Sequence, residues 1–133
     1  MRADSFVKGL SNLAFENTFN PYSDRCEVYD VYDAPLKRSD LLKKMLIAAC
    51  EVEVDSIWIG RDLGYKGGRR TGLALTDDVH LCHHAARWGV EVARLTKGQA
   101  IPERTAAVIW SILEKNPNPV FLWNVFPLHP YEA

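Results

Sequence analysis

DSIWI, residues 55–59, leads directly into GRDLGYKGGRRTG, residues 60–72. The first segment is apolar, β-branched and aromatic, which predicts a short buried strand. The second segment contains five glycines and four basic residues, which predicts a loop. Glycine permits sharp turns and close backbone approach to a ligand, and N–H groups exposed in such a loop bind anions. The stretch therefore predicts an α/β fold with an anion-binding loop after a strand.

Charged side chains of this loop predict two kinds of contact. Lys66, Arg69 and Arg70 carry charge suited to phosphate groups, as does Arg61. Asp62 lies at the end of the strand, where α/β folds place ligands and catalytic groups. The spacing matches neither a P-loop nor a dinucleotide-binding fingerprint. The alternative interpretation is a glycine-rich turn with solvated basic side chains.

A second strand is predicted at VFLWN, residues 120–124, because the run is continuously apolar. Helices are predicted at about 79–88 and 102–115. The order strand, helix, helix, strand predicts a parallel sheet flanked by helices. Parallel strands would bring Asp62 and Asn124 to the same rim of that sheet.

Before the first strand, two more helices are expected. Phe6, Leu10, Leu13 and Ala14 recur at helical spacing near the N-terminus. Ser39 is a candidate cap for a helix from residue 40 to about 50, and residues 25–38 are expected to be irregular. In the helix at 102–115, the predicted core face is Ala106, Val108, Ile109, Ile112 and Leu113.

Length and composition predict one globular domain spanning residues 1–133. The chain is 47% hydrophobic and 25% charged, with a net charge of −1, so contact with nucleic acid would require a local basic patch. Three widely spaced cysteines predict neither a zinc ribbon nor a disulfide framework. The lack of a signal-peptide pattern or a membrane-length apolar run predicts a cytoplasmic protein without a membrane partner.

Histidines cluster around residue 80 and raise the question of a metal site. His80, His83 and His84 lie close to Cys82, with Asp77 and Asp78 nearby. Recognisable spacing for three or four ligands is absent. We therefore expect a polar helix face here, and neither a metal nor another cofactor.

The motifs together resemble the uracil-DNA glycosylase superfamily. Gly60-Arg-Asp62-Leu-Gly64 is similar to the first motif of that superfamily, which runs Gly-Gln-Asp-Pro or Gly-x-Asn-Pro-Gly in different branches. The following GGRRTGLALTD, residues 67–77, resembles its glycine-rich turn and Thr-Gly step. Residues 121–124, FLWN, resemble the apolar run that ends in asparagine. The resemblance covers most of the chain.

This resemblance implies a DNA-repair enzyme that flips uracil or another deaminated base out of DNA and hydrolyses its N-glycosidic bond. Asp62 would be catalytic, orienting water and favouring a cationic sugar. The implied base-binding residues are Asn124, Gly64, Leu75 and His129, and the implied DNA phosphate contacts are Lys66, Arg69, Arg70 and Thr71. Asn124 would read the edge of uracil, whereas Gly64 would leave room for a broader range of bases.

Leu75 stands where the superfamily usually has an aromatic residue, and Leu63 where it usually has proline. The second catalytic motif, which usually begins His-Pro-Ser, is not matched by His129-Pro-Tyr131. The chain therefore resembles the N-terminal portion of the family fold, incomplete at the C-terminus. Two alternatives stay open: a non-catalytic nucleic-acid-binding domain, and a truncated member that buries an unfinished sheet edge in a homo-oligomer.

Overall fold

The computed structural model describes residues 2–132 and has a mixed α/β fold. Its elements are, in chain order, α1 (Ala3–Ser11), β1 (Thr18–Phe19), α2 (Ala34–Cys50), β2 (Ser56–Asp62), α3 (Gly68–Thr71), α4 (Leu81–Arg87), α5 (Arg104–Leu113), β3 (Val120–Phe126) and β4 (His129–Pro130). In the described part of the chain, no helix combines the length and the apolar character needed to cross a membrane.

The central sheet is the parallel pair that the sequence predicts. β2 pairs with β3, and Gly60 lies opposite Asn124 while Asp62 lies opposite Phe126. β2 is therefore longer than predicted, because its ladder with β3 continues past Ile59. A second, antiparallel pair joins β1 to β4 and places Phe19 opposite His129. The sequence analysis did not predict that pair, whose strands have only two residues each.

The prediction that the first strand is buried is wrong for the face of β2 that carries Ile57 and Ile59. Ile57 and Ile59 are both more than half exposed, and exposed side chains alternate with partly buried ones along the strand. On β3, Phe121 and Trp123 pack into the larger core cluster with α1 and α2. That cluster does not extend over β2. This exposed apolar face is what the oligomer hypothesis would bury, and that hypothesis stays a prediction.

Helix α5 packs on the opposite face of the sheet, and the predicted core face is right for Ala106, Ile109 and Leu113 but wrong for Val108 and Ile112. Ala106, Trp110 and Leu113 are buried, whereas Val108 and Ile112 are about half exposed. The indole Nε1 of Trp110 donates a hydrogen bond to the Leu75 carbonyl at 3.2 Å. The large aromatic ring, satisfied at its polar atom, therefore sets the buried face in preference to the β-branched residues.

Helix α2 begins at Ala34, so the prediction that residues 34–38 are irregular is wrong. Pro35 lies in the first turn of the helix, where a missing N–H costs no intrahelical hydrogen bond. Ser39 is inside the helix, and its hydroxyl donates to the Tyr22 carbonyl at 2.9 Å instead of capping. Arg38, one turn in, is fully buried.

The first helix follows the prediction only in part, because α1 ends at Ser11 and the predicted face residues Leu13 and Ala14 lie beyond it and are exposed. α1 buries Ala3, Val7 and Leu10, whereas Phe6 is partly exposed and contacts the Trp123 ring. α4 is followed by Gly89 in the left-handed region at φ +72°, as the helix stop predicted there requires.

Candidate functional site

Asp62 and Asn124 lie at the same rim and on the same face of the central sheet. Gly60 is the register partner of Asn124, so their side-chain positions share a face. Asp62 follows Gly60 by two residues and returns to that face. The predicted juxtaposition of the two strand ends is confirmed.

The Asn124 amide is the least expected feature of this rim. Its residue is 1% exposed, and neither Nδ2 nor Oδ1 has a hydrogen-bond partner among the described residues. A methyl group at Gly60 would overlap Oδ1 and would also come within 3.1 Å of Leu75 Cδ2. Leaving a buried polar group unpaired costs about 1–3 kcal/mol. Such a group calls for an explanation, and a ligand that supplies the missing partners is one.

Leu75 forms the apolar wall beside that amide. Its backbone has φ +56°, a left-handed conformation that is uncommon for a residue with a branched side chain. The Trp110 indole holds the Leu75 carbonyl, which fixes the strained position. Strained backbone of this kind concentrates at functional sites. The family resemblance implied that Leu75 contacts the flipped base. In the structure, Leu75 lies beside Asn124, the other residue implied to bind that base.

We predict that Asn124→Leu stabilises the protein. Leucine keeps the branched outline but removes two unpaired polar atoms, so the free energy of unfolding should rise by about 1–3 kcal/mol. Urea unfolding followed by circular dichroism measures the change. Asn118→Leu, at an exposed loop position, is the control and should change stability little. A loss of stability in Asn124→Leu would show that the amide is satisfied in the native protein.

Asp62 is partly exposed and has one close charged neighbour. The Arg61 Nε atom lies 2.9 Å from Asp62 Oδ2, and Arg61 itself is almost fully exposed. Arg61 is thus a flexible counter-ion on the solvent side. A carboxylate in this position can accept a hydrogen bond from water or face a developing cation.

His129 lies next to the same strand end. Its Nδ1 is 2.7 Å from the Leu63 carbonyl, so Nδ1 carries the proton and Nε2 is left as an acceptor. Burial lowers the pKa of His129, and Arg69 acts in the same direction, while the Leu63 hydrogen bond and Asp62 oppose the shift. The imidazole is therefore held neutral close to Asp62. The structure thus brings His129 to the Asp62 end of the rim.

Two of the four basic residues of the loop are buried, which differs from the solvent-facing arrangement expected of phosphate contacts. Arg69, Arg70 and Thr71 lie in α3 and are buried, whereas Lys66 is exposed. Arg70 is paired with Asp78 through Nε at 2.8 Å. The Thr71 hydroxyl bonds within the chain, to the Thr76 carbonyl at 2.9 Å. Arg70 and Thr71 therefore stabilise the loop, and their polar groups are engaged within the chain and do not face a phosphate.

Glu103 is a site residue that the sequence analysis missed. Its carboxylate lies against Gly64 and Gly67, and a methyl group at either glycine would overlap it. The space that the resemblance implied would be open at Gly64 is thus occupied by Glu103. Burial raises the pKa of Glu103, Asp77 raises it further, and Lys66 opposes them. No sequence signal links Glu103 to the loop, because only the tertiary fold brings them together.

The histidine cluster packs around one tryptophan. The rings of His80, His83 and His84 lie 6.0, 5.5 and 5.0 Å from the Trp110 ring, centroid to centroid. His84 Nδ1 bonds Thr76 Oγ1 at 2.8 Å, and burial, with smaller contributions from Arg87 and His83, lowers the pKa of His84 to about 3. In residues 2–132, no three or more histidine, cysteine or acidic side chains are grouped as metal ligands.

Comparison of the chain with protein-family models, curated proteins and solved structures finds no match in any of the three.

Proposed function

We propose that this chain is a uracil-DNA glycosylase-like enzyme of DNA repair, which hydrolyses the N-glycosidic bond of uracil or a related deaminated base in DNA. The observation that carries the proposal is the buried, unpartnered Asn124 amide on the same face and rim as the Asp62 carboxylate. The family motifs at residues 60–64 and 121–124 point to the same chemistry.

The Asn124 amide complements the edge of uracil. Its oxygen accepts a hydrogen bond from the N3–H of uracil, and its nitrogen donates to O4. Cytosine presents an acceptor at N3 and donors at the exocyclic nitrogen. Against the same amide, acceptor would therefore face acceptor and donor would face donor. In the orientation that fits uracil, the amide stays unpaired against cytosine, which favours uracil. Leu75 supplies an apolar wall for the ring of the flipped base.

Asp62 serves the bond-breaking step. Departure of the base leaves positive charge on the sugar, and a fixed carboxylate stabilises that charge. The same carboxylate orients water, whose oxygen bonds to the anomeric carbon while a proton passes to the medium or the leaving base. Neutral His129 keeps an acceptor nitrogen at the same strand end.

Release of a base from DNA tests the proposal. An end-labelled single-stranded oligonucleotide with one uracil is incubated with the protein, and alkali then cleaves any abasic site. Matched oligonucleotides carry cytosine, thymine, hypoxanthine or xanthine at the same position. We expect cleavage with uracil and none with cytosine. The protein is produced in a host that lacks its own uracil glycosylase, so a positive result reports this chain.

No cleavage of any deaminated base by folded protein would overturn the enzyme proposal. Binding to the same oligonucleotides without base release, and without dependence on Asp62, would favour the non-catalytic nucleic-acid-binding alternative.

A further inference from the structure

Three exposed tyrosines and the buried ring of His129 lie near the strand end that carries Asp62, and we call them the aromatic track: Tyr29, Tyr65, His129 and Tyr131. The His129 ring lies 6.1 Å from the Tyr65 ring and 6.3 Å from the Tyr131 ring, centroid to centroid. Tyr29 and Tyr65 both lie against the Arg69 guanidinium, which places their rings close together. The three tyrosines are 37%, 56% and 51% exposed in chain order. Exposed aromatic rings grouped in one region are available to bind a partner.

A buried cation lies beneath one end of the track. The Arg69 guanidinium is 5.6 Å from the Tyr29 ring, 5.0 Å from the Tyr65 ring and 5.4 Å from the Phe19 ring. Its Nη2 has no hydrogen-bond partner among the described residues. The cation attracts the inner faces of the rings and holds them in place. Tyr29 and Tyr65 nevertheless remain partly exposed to solvent.

Positive charge continues beyond Tyr29. A cleft of about 430 Å³ is lined by Tyr29, Arg70 and Lys97, among others. The Arg70 guanidinium lies 5.1 Å from the Tyr29 ring, but its charge is paired with buried Asp78. The charge available to phosphates is therefore that of exposed Lys97 and Lys66. Exposed Lys66 follows Tyr65 directly in the chain. Aromatic faces interleaved with cations are the features that bind unpaired nucleotides, by stacking and by attraction of the phosphates.

The track is joined to the candidate site through the backbone. His129, in its middle, bonds the Leu63 carbonyl, and the Leu63 N–H donates to the Leu128 carbonyl at 3.1 Å. Leu63 is the residue after Asp62. A strand of nucleic acid lying on the track would therefore pass directly beside Asp62.

We propose that the aromatic track binds single-stranded DNA by stacking unpaired bases on Tyr29, Tyr65 and Tyr131. The inference takes its choice of DNA from the proposed function, but binding requires neither Asp62 nor an excisable base. A duplex hides the faces of its bases within the stack, so it offers the track only phosphates. The chain should consequently prefer single strands.

Binding to an oligonucleotide without any excisable base tests the track. Fluorescence anisotropy is measured with the full chain and a labelled thymidine oligonucleotide of about 12 nucleotides. We expect Tyr65→Leu and Tyr131→Leu each to weaken binding about tenfold. Tyr65→Phe should bind like the wild type, because it keeps the ring. Tyr32→Leu is the matched control, since Tyr32 is an exposed tyrosine beside Arg25 and outside the track.

Tyr131→Leu guards against an indirect effect, because Tyr131 is not among the rings that cover Arg69. Circular dichroism melting identifies any variant that fails to fold. Unchanged binding in Tyr131→Leu and Tyr65→Leu would overturn the proposal, as would equal weakening by Tyr32→Leu. Equal affinity for a duplex would also overturn it, and tighter binding of an RNA oligonucleotide would overturn the choice of DNA.

The two proposals fail in different experiments. Weaker binding by the track variants, together with no release of uracil, would reject the glycosylase and keep the track. Release of uracil, together with unaltered binding by the track variants, would keep the glycosylase proposal and reject the track.

Discussion

Replacing Asp62 by asparagine is expected to lower the rate of uracil release by about 10²–10⁴-fold, the usual contribution of a positioned acid–base group. The amide keeps the shape of the side chain but carries no charge and accepts no proton. It can neither stabilise the cationic sugar nor activate water. Stability should change little, because the lost ion pair with Arg61 is solvent-exposed on the arginine side.

Single-turnover rates with protein in excess over the uracil oligonucleotide measure this effect without a contribution from product release. Asp40→Asn is the control, because it removes an exposed carboxylate that is paired only with Lys44 on a helix. Its rate should equal that of the wild type. An Asp62→Asn variant as fast as the wild type would remove Asp62 from the mechanism.

Replacing Arg38 by methionine is expected to destabilise the protein by about 3–5 kcal/mol, the cost of leaving a buried charge without its partner. Arg38 and Asp30 form an ion pair in which both side chains are fully buried. Burial lowers the pKa of Arg38, and its hydrogen bond with Asp30 opposes the shift. Arg38 also donates to the Arg70 carbonyl at 2.9 Å and to the Pro21 carbonyl at 3.2 Å. The Arg38 guanidinium thus links α2 to α3 and to the segment that precedes α2.

Urea unfolding followed by circular dichroism measures the loss. The double variant Asp30→Asn with Arg38→Met should be less destabilised than Arg38→Met alone, because no unpaired buried carboxylate remains. Lys44→Met removes an exposed partner of Asp40 and should cost less than about 1 kcal/mol. Equal stability of Arg38→Met and Lys44→Met would contradict the assigned role of the buried pair.

The parallel sheet was predictable because its signals are local. Residues 55–59 and 120–124 are apolar runs bounded by turn residues, and the helices between them require a crossover connection. From that order alone, Asp62 and Asn124 had to reach the same rim. The register that sets Asn124 against Gly60 was not predictable, because it depends on the packing of both strands.

The state of the charges was not predictable from the loop sequence. Arg69, Arg70 and Lys66 look alike in sequence, yet the first two are buried and the third is exposed. The difference comes from partners elsewhere in the chain, namely Asp78 for Arg70 and the aromatic rings for Arg69. Part of the glycine-rich basic loop is therefore a structural element, in which Arg70 is ion-paired inside the protein.

Chain order and apolar pattern thus specify the two strands of the central sheet, their parallel direction and the polar residues at their ends, since all three follow from short segments and from connectivity. Other features arise from contacts between segments far apart in sequence. They are the pairing of the buried arginines, the position of Glu103 against Gly64, and the Asn124 amide, which has no hydrogen-bond partner among the described residues. Such contacts leave no mark in a single sequence, because each side chain acquires its neighbours only when the separate segments pack together.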